Sequence, residues 1–163
     1  MFQAFSRVMR ESREKFVVVD TAPTGHTLLL LDATGAYHRD VVRNLASGMH
    51  VVTPMMRLQD PKQTKMLIVT LPETTPVLEA EALQVDLRRA GIEPWAWVIN
   101  SSLAAAEPSD PLLAARANQE RTHIERVQHS VERVAIVPWL IDEPVGCDRL
   151  RALTLASEKV IEV

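Results

Sequence analysis

The chain has 163 residues, of which 47% are apolar and 24% are charged, a composition typical of a soluble α/β domain with one core. Its 18 basic and 21 acidic side chains give a formal net charge of −3. Because the two signs are interspersed, the sequence lacks the basic footprint of a nucleic-acid-binding protein. The single cysteine, Cys147, excludes an internal disulfide and a zinc site built from several cysteines.

The sequence also argues against membrane insertion. No apolar segment approaches the roughly 20 residues of a membrane span, and residues 1–16 lack the apolar core of a signal peptide. We therefore predict a single α/β domain over residues 1–163, located in the cytoplasm. Any membrane association should be peripheral, at the inner membrane, and should run through a partner protein.

The first predicted elements are a helix over residues 2–14 and a strand over residues 16–20. Residues 16–19 are four consecutive apolar residues without polar alternation, so we expect both faces of this strand to be covered. Asp20 ends the strand. In open α/β sheets ligands bind just beyond the carboxyl ends of parallel strands, so the turn after Asp20 is a candidate site.

The chemistry of this turn suits a phosphate or metal ligand. A carboxylate such as Asp20 can hold Mg²⁺ directly or through water, and threonine hydroxyls and turn amides can bind phosphate oxygens. Proline and glycine shape the path of the loop. The residues after Asp20 that share this position are Thr21, Pro23, Thr24, Gly25 and His26.

Residues 50–61 give the weakest local signal. We expect a partly exposed helical or irregular segment, because Pro61 stops any helix before it. Met55 and Met56 have two open interpretations. They are either core residues or part of an adaptable partner surface.

A strand followed by a helix is predicted next. Residues 65–71 form an apolar strand that we expect to be buried. Thr75 is the expected N-cap of a helix that has Pro76 at its first position and extends to Ala90. Gly91 then closes the helix.

Two more strands complete the predicted sheet. Residues 94–100 form a strand that ends at Asn100, and a loop of small residues covers 101–108. Asp110 and Pro111 start a long polar helix that reaches about residue 132. The fourth strand covers residues 133–139 and a final helix covers 148–160. Strands that alternate with helices predict a parallel sheet flanked by helices.

A phosphate-binding loop is absent from the 163 residues. A P-loop requires a glycine followed by lysine, and no such pair occurs. The five glycines are Gly25, Gly35, Gly48, Gly91 and Gly146.

Several segments together resemble the arsenical pump-driving ATPase family. They are DTAPTGHT, LLLLDATGAYHRD, TPMMRLQDP, LIVTLPETTPVLEAEAL and WVINSSL, and the resemblance covers almost the whole chain. It implies the C-terminal part of the family's second nucleotide-binding half. The implied fold is a partial P-loop NTPase fold, similar to nitrogenase iron protein, without its first βα unit.

The resemblance also implies roles for individual residues. Asp20 would be the magnesium-associated acid, through water, at the head of a switch loop, and His26 would lie toward the metalloid site. Asn100 would hydrogen-bond the adenine ring, which suits a side-chain amide that donates and accepts at once. Pro138 would lie on the adenine side as well. ATP and Mg²⁺ would be the cofactors of the intact parent, with neither held tightly by this chain.

The implied partners are the remaining N-terminal portion of the ATPase and a membrane arsenite permease. Arsenite or antimonite would be the parent's ligand. These ions prefer thiolates, and Cys147 matches no metalloid cysteine of the family, so this chain alone should not bind them tightly. We expect little or no ATPase activity from it.

Two alternatives remain open at this point. One is a non-catalytic interaction module derived from this family, with a partner surface around Met55 and Met56. The other is a fragment of a related ATPase that delivers tail-anchored membrane proteins. The spacing of Glu120 and His123 could also form half of a di-iron motif, but the sequence lacks a second copy.

Overall fold

The structure is a computed structural model that describes residues 15–21, 35, 36, 43 and 52–156, the side chains of 154–156 excepted. The chain divides into two compact units. The first comprises Met1–Lys65 and Leu83–Glu93, and the second comprises Met66–Ala82 and Pro94–Val163. None of the helices in the described ranges is long and apolar enough to cross a membrane.

The first unit contains helix α1, Pro54–Gln59. The Thr53 hydroxyl oxygen caps it by accepting a hydrogen bond from the Met56 amide at 3.3 Å, and Pro54 takes the first position, where no helical donor is needed. Asp60 ends the helix, directly before Pro61. The predicted segment is therefore a short helix.

The two methionines of α1 have different environments. Met55 is 6% exposed and Leu58, three residues later on the same helix face, is 8% exposed, so both belong to the core. Met56 lies outside that face and is 43% exposed. Of the two open interpretations, the core one is confirmed for Met55, whereas Met56 is exposed.

Helix α2, Thr74–Arg89, starts in the second unit and ends in the first. The predicted cap at Thr75 is wrong, because the Val77 amide already donates to the Glu73 carbonyl at 3.1 Å. Pro76 fits within the first turn, whose N–H groups have no helical acceptors.

The C-terminus of α2 has a Schellman arrangement that confirms the predicted stop at Gly91. The Gly91 amide donates to the Arg88 carbonyl at 3.0 Å, and the Ile92 amide donates to the Leu87 carbonyl at 2.9 Å. Gly91 has a φ of +75°, a conformation that favours glycine. Ile92 and Leu87 are both buried, as this motif requires.

The second unit contains a parallel three-stranded sheet in the order β1–β2–β3. The strands are Leu67–Thr70, Ala96–Ser102 and Val134–Pro138. Helical crossovers connect them, as parallel pairing demands. The predicted α/β fold with a parallel sheet flanked by helices is confirmed.

Burial of β1 alternates along the strand. Ile68 is 2% exposed, and its register partner Trp97 on β2 is 1% exposed, so they share a buried face. Leu67 and Val69 project from the other face and are 48% and 62% exposed. The expectation that residues 65–71 are covered on both faces is therefore wrong, because an apolar run does not determine what lies against each face.

The predicted strand at residues 16–20 is also wrong. These residues form no strand, and Phe16 and Val18 are 95% and 77% exposed. A strand needs neighbours that pair its backbone and cover its side chains, and apolar composition alone does not supply them. The described residues contain three strands where the sequence predicted four. The predicted helix at 2–14 lies outside the described residues.

The expected loop at 101–108 contains a one-turn helix, α3, Leu103–Ala106. Helix α4, Pro111–Ser130, follows, and its predicted Asp110 cap is confirmed by hydrogen bonds from the Leu112 and Leu113 amides. Within this unit α3 packs against α4 and β3, and α4 packs against β2. Helix α5 covers Cys147–Ala156.

Candidate functional site

Asn100 lies at an irregularity in the β2–β3 pairing. Ile99 pairs with Ile136 and Ser102 pairs with Pro138, so β2 advances three residues where β3 advances two. The extra residue is a β-bulge, a feature that re-aims side chains next to functional sites. Asn100 is therefore not the last residue of its strand, as the sequence predicted, but part of a bulge near the carboxyl end.

The bulge presents an exposed amide between two buried positions. Ile99 and Ser102 are each 0% exposed, whereas Asn100 is exposed. Ser101 between them has a φ of +55°, a left-handed conformation that costs a non-glycine residue about 1 to 3 kcal/mol. The surrounding structure must hold this conformation, since the local sequence does not favour it.

Pro138 lies on the neighbouring strand at the same edge of the sheet. It is the register partner of Ser102, and the next residue, Trp139, donates its amide to the Ser102 carbonyl at 2.9 Å. Pro138 is partly buried and Trp139 is 58% exposed. The structure thus places Asn100 and Pro138 at the carboxyl ends of adjacent strands, where ligands of α/β sheets bind.

A buried carboxylate lies behind the bulge. Glu120 of α4 is 6% exposed, and its Oε2 accepts hydrogen bonds from Ser102 Oγ at 3.1 Å and from the Ala104 amide at 3.0 Å. Sequence reasoning considered Glu120 only as a metal ligand. The missed signal is its place in the buried stripe of α4, which otherwise consists of Ala117, Ile124 and Val127.

A cavity of about 290 Å³ adjoins this carboxylate in the second unit. It lies where the N-terminal part of α2 faces α4. Arg116 crosses it to pair with Glu73 at 2.9 Å, and His123 Nε2 lies 3.4 Å from Thr74 Oγ1. Its lining comprises Pro72, Glu73, Thr74, Thr75, Pro76, Arg116, Gln119, Glu120 and His123.

The residues predicted for the switch loop belong to the first unit. Asp20 and Thr21 are exposed and lie in an irregular segment, while Pro23, Thr24, Gly25 and His26 lie outside the described residues. In the parts of the chain that the structure describes, no three His, Cys, Asp or Glu side chains converge to hold a metal. An exposed carboxylate such as Asp20 fits a Mg²⁺ ion held mainly by water and phosphate oxygens.

Comparison with known proteins gives the family. The family model described as anion-transporting ATPase matches residues 1–58 and 33–157 in two overlapping segments, which together cover most of the chain. The chain belongs to the anion-transporting ATPase family. This membership agrees with the parallel α/β sheet and with a candidate site at the carboxyl edge of that sheet.

Curated relatives of this ATPase family member carry the name arsenical pump-driving ATPase. One from Acidiphilium multivorum is 61% identical over 154 residues, which is 94% of this chain. Two from Escherichia coli are 62% identical over 155 residues and 60% identical over 156 residues, again 94% and 95% of this chain. The chain spans about a quarter of the length of these relatives, 26 to 27%.

Proposed function

We propose that this chain carries the switch loop and the adenine-side residues of an ATPase that energises arsenite or antimonite efflux through a membrane permease. The identity of about 61% to arsenical pump-driving ATPases over 94% of the chain supports the arsenical branch. It favours that branch over the ATPases that deliver tail-anchored proteins. The structural observation that carries the proposal is the exposed Asn100 at the bulge, beside Pro138 on the next strand.

Asn100 would recognise the base. Its side-chain amide can donate one hydrogen bond and accept another, which matches the edge of an adenine ring. Pro138 and the half-exposed Trp139 offer apolar surface next to it, so the same edge of the sheet can contact both the hydrogen-bonding edge and the face of a purine.

Asp20 would serve the Mg²⁺ ion of the intact parent. In the intact parent it would hold Mg²⁺ through water, and Thr21, Pro23, Thr24, Gly25 and His26 would form the loop that responds to the γ-phosphate. When bound, Mg²⁺ would neutralise charge on the phosphate oxygens. The exposed carboxylate of Asp20 is compatible with this role.

The chain alone should hydrolyse little ATP. Phosphoryl transfer depends mainly on positioning and on electrostatic stabilisation, and a lysine-bearing P-loop supplies much of both. None of the 163 residues forms a Gly-Lys pair. The remaining portion of the ATPase would therefore be its first partner, with the permease reached through that assembly and the whole held peripherally at the cytoplasmic face of the membrane.

The interaction-module alternative has lost the surface that motivated it. Met55 is in the core, so Met56 is the exposed member of the methionine pair. These exposures favour the ATPase proposal over the interaction module.

Nuclear magnetic resonance of the ¹⁵N-labelled chain tests the adenine-side assignment. Titration with millimolar ATP should shift the Asn100 side-chain amide and the backbone amides of Ser102 and Trp139. Asn100→Ala should abolish the response. Asn118→Ala is the matched control, because Asn118 is an exposed asparagine of the same unit that accepts a hydrogen bond from Arg121 on its own helix.

Three outcomes would contradict parts of the proposal. Absence of ATP-induced shifts at Asn100, or equal loss of response in both asparagine variants, would refute the adenine role. Phosphate release by the purified chain at the rate of an intact pump ATPase would refute the expected inactivity.

A further inference from the structure

The buried carboxylate of Glu120 needs an explanation that the proposed function does not provide. It lies in the stripe of α4 that also contains Ala117, Ile124 and Val127, where an apolar residue of similar size would avoid any desolvation cost. Burial of a carboxylate is tolerated only where donors replace water. The groups that donate hydrogen bonds to Glu120 indicate its role.

Both hydrogen-bond donors belong to the segment at the end of the bulge. Ser102 Oγ and the Ala104 amide both donate to Glu120 Oε2, at 3.1 and 3.0 Å. The Ser102 oxygen also accepts from the Ala105 amide at 3.2 Å, which caps α3. Since the Ser102 hydroxyl has one proton, its bond to Glu120 fixes the hydroxyl in the orientation that leaves a lone pair for Ala105.

The same network involves the backbone directly after Asn100, a residue that ordinary alternation already places on the exposed side, opposite Ile99. With simple alternation, Ser101 would follow Trp97 and Ile99 onto the buried face, and Ser102 would point away from it. The bulge reverses this order, so that Ser102 is buried instead. Ser101 accommodates the extra residue by adopting a φ of +55°. This strained conformation persists only when contacts of the surrounding structure hold it.

We propose that Glu120 is a positioning residue: by anchoring Ser102 in the core, it maintains the bulge that follows Asn100 and so holds the Asn100 side chain in place for the adenine base. This inference rests on the proposed adenine role of Asn100. Glu120 itself touches no nucleotide in this proposal. Its contribution is transmitted through Ser102 and the strained peptide at Ser101.

The first test measures the bulge without nucleotide. In the ¹⁵N,¹³C-labelled chain, the backbone chemical shifts and the amide-to-Hα coupling of Ser101 report its left-handed conformation. Glu120→Ala should shift Ser101 toward extended values, whereas Glu120→Gln, which keeps an acceptor oxygen of the same reach, should largely preserve them. Glu125→Ala is the matched control, because Glu125 is an exposed glutamate on the same helix.

The second test measures the consequence for the nucleotide. Glu120→Ala should raise the apparent Kd for ATP about tenfold, as read from the titration of the Asn100 side-chain shift. This is the typical effect of losing one buried hydrogen bond to a charged group. Glu120→Gln should recover most of the affinity. Ser102→Ala keeps the carboxylate but removes its link to the bulge, and it should reproduce the Glu120→Ala result even if the latter variant does not fold.

The two readouts separate failure of this inference from failure of the proposed function. Retention of the left-handed Ser101 in Glu120→Ala or in Ser102→Ala would overturn the positioning role, whatever the nucleotide does. Loss of the Ser101 conformation with an unchanged ATP response at Asn100 would overturn it as well. If the unmodified chain shows no ATP response at all, the adenine proposal and the inference built on it both fall.

Discussion

Glu81 accepts two hydrogen bonds from the guanidinium of Arg126, one from Nε and one from Nη2, each 2.7 Å long. The pair joins α2 to α4 within the second unit. The forked geometry is the strongest that an arginine and a carboxylate can adopt, and the hydrogen bond to Glu81 raises the pKa of Arg126 above its usual value. About half of the Arg126 side chain remains in contact with water.

The first prediction concerns this pair. Arg126→Ala should lower the melting temperature by about 1 to 4 °C, because partly exposed ion pairs contribute modestly, and the loss should shrink at high salt. Thermal unfolding followed by circular dichroism at low and high salt measures it. Arg121→Ala is the control, since Arg121 is an exposed arginine of the same helix and bonds Asn118 of that helix at 3.4 Å. Equal losses in both variants would contradict the prediction.

The second prediction compares two glycines with positive φ, Gly91 at +75° and Gly146 at +89°. Gly146→Ala should cost about 1 kcal/mol of unfolding free energy from backbone strain alone, because nothing lies within 4 Å of the added Cβ. Gly91→Ala should cost more, since its Cβ would lie 3.0 Å from Gln59 Nε2, which donates to the Ala90 carbonyl at 2.7 Å.

Urea denaturation of both variants checks this order. In a Gln59→Ala background the two glycine substitutions should become similar, because the contact specific to Gly91 is gone. A difference that persists in that background would show that displacement of Gln59 is not its cause.

The third prediction separates the two methionines of α1. Met55→Ala should reduce the unfolding free energy by about 2 to 4 kcal/mol, as truncation of a buried methionine leaves a cavity. Met56→Ala should change it by less than about 0.5 kcal/mol, since Met56 is 43% exposed. Chemical denaturation measures both. Similar losses at the two positions would place Met56 in the core as well, against the structure.

The fourth prediction concerns Asp60. A hydrogen bond from the Lys62 amide at 2.9 Å and a second from the Gln63 side chain lower the pKa of Asp60 below its usual value of 3.8. The ionised form is therefore favoured by folding. Its stabilising contribution is present above the unfolded pKa and is lost as the pH falls through the lower, folded pKa.

Comparison with Asp60→Asn checks this sign. The wild-type chain should have the higher denaturation midpoint at pH 6, because the amide cannot accept both bonds in the same way. The difference in denaturation midpoint between the two chains should narrow once the pH falls below the folded pKa of Asp60, because the wild-type carboxyl is then also neutral. If this difference in midpoint stays constant from pH 6 to strongly acidic pH, titration of Asp60 does not contribute to the stability of the chain.

The sequence by itself determined the features that depend on nearby residues. The Asp110 cap with Pro111 behind it, the stop at Gly91 and the positions of three strands follow from propensities and hydrogen bonds within a few residues. The family resemblance likewise rests on contiguous segments. The adenine-side roles predicted for Asn100 and Pro138 came from that resemblance, and the structure places both residues near the carboxyl ends of adjacent strands.

The tertiary structure alone decided what is covered and how Asn100 is held. The apolar residues 16–19 formed no buried strand, and one face of β1 stayed exposed, because burial depends on what the rest of the chain brings to each surface. At the bulge, the Ser102 hydroxyl donates to Glu120, which lies 18 residues further along the chain and meets Ser102 only after α4 has packed on the sheet. Local sequence propensities cannot predict such a contact. The hydrogen bond becomes stabilising only when distant segments have packed and excluded water from both partners.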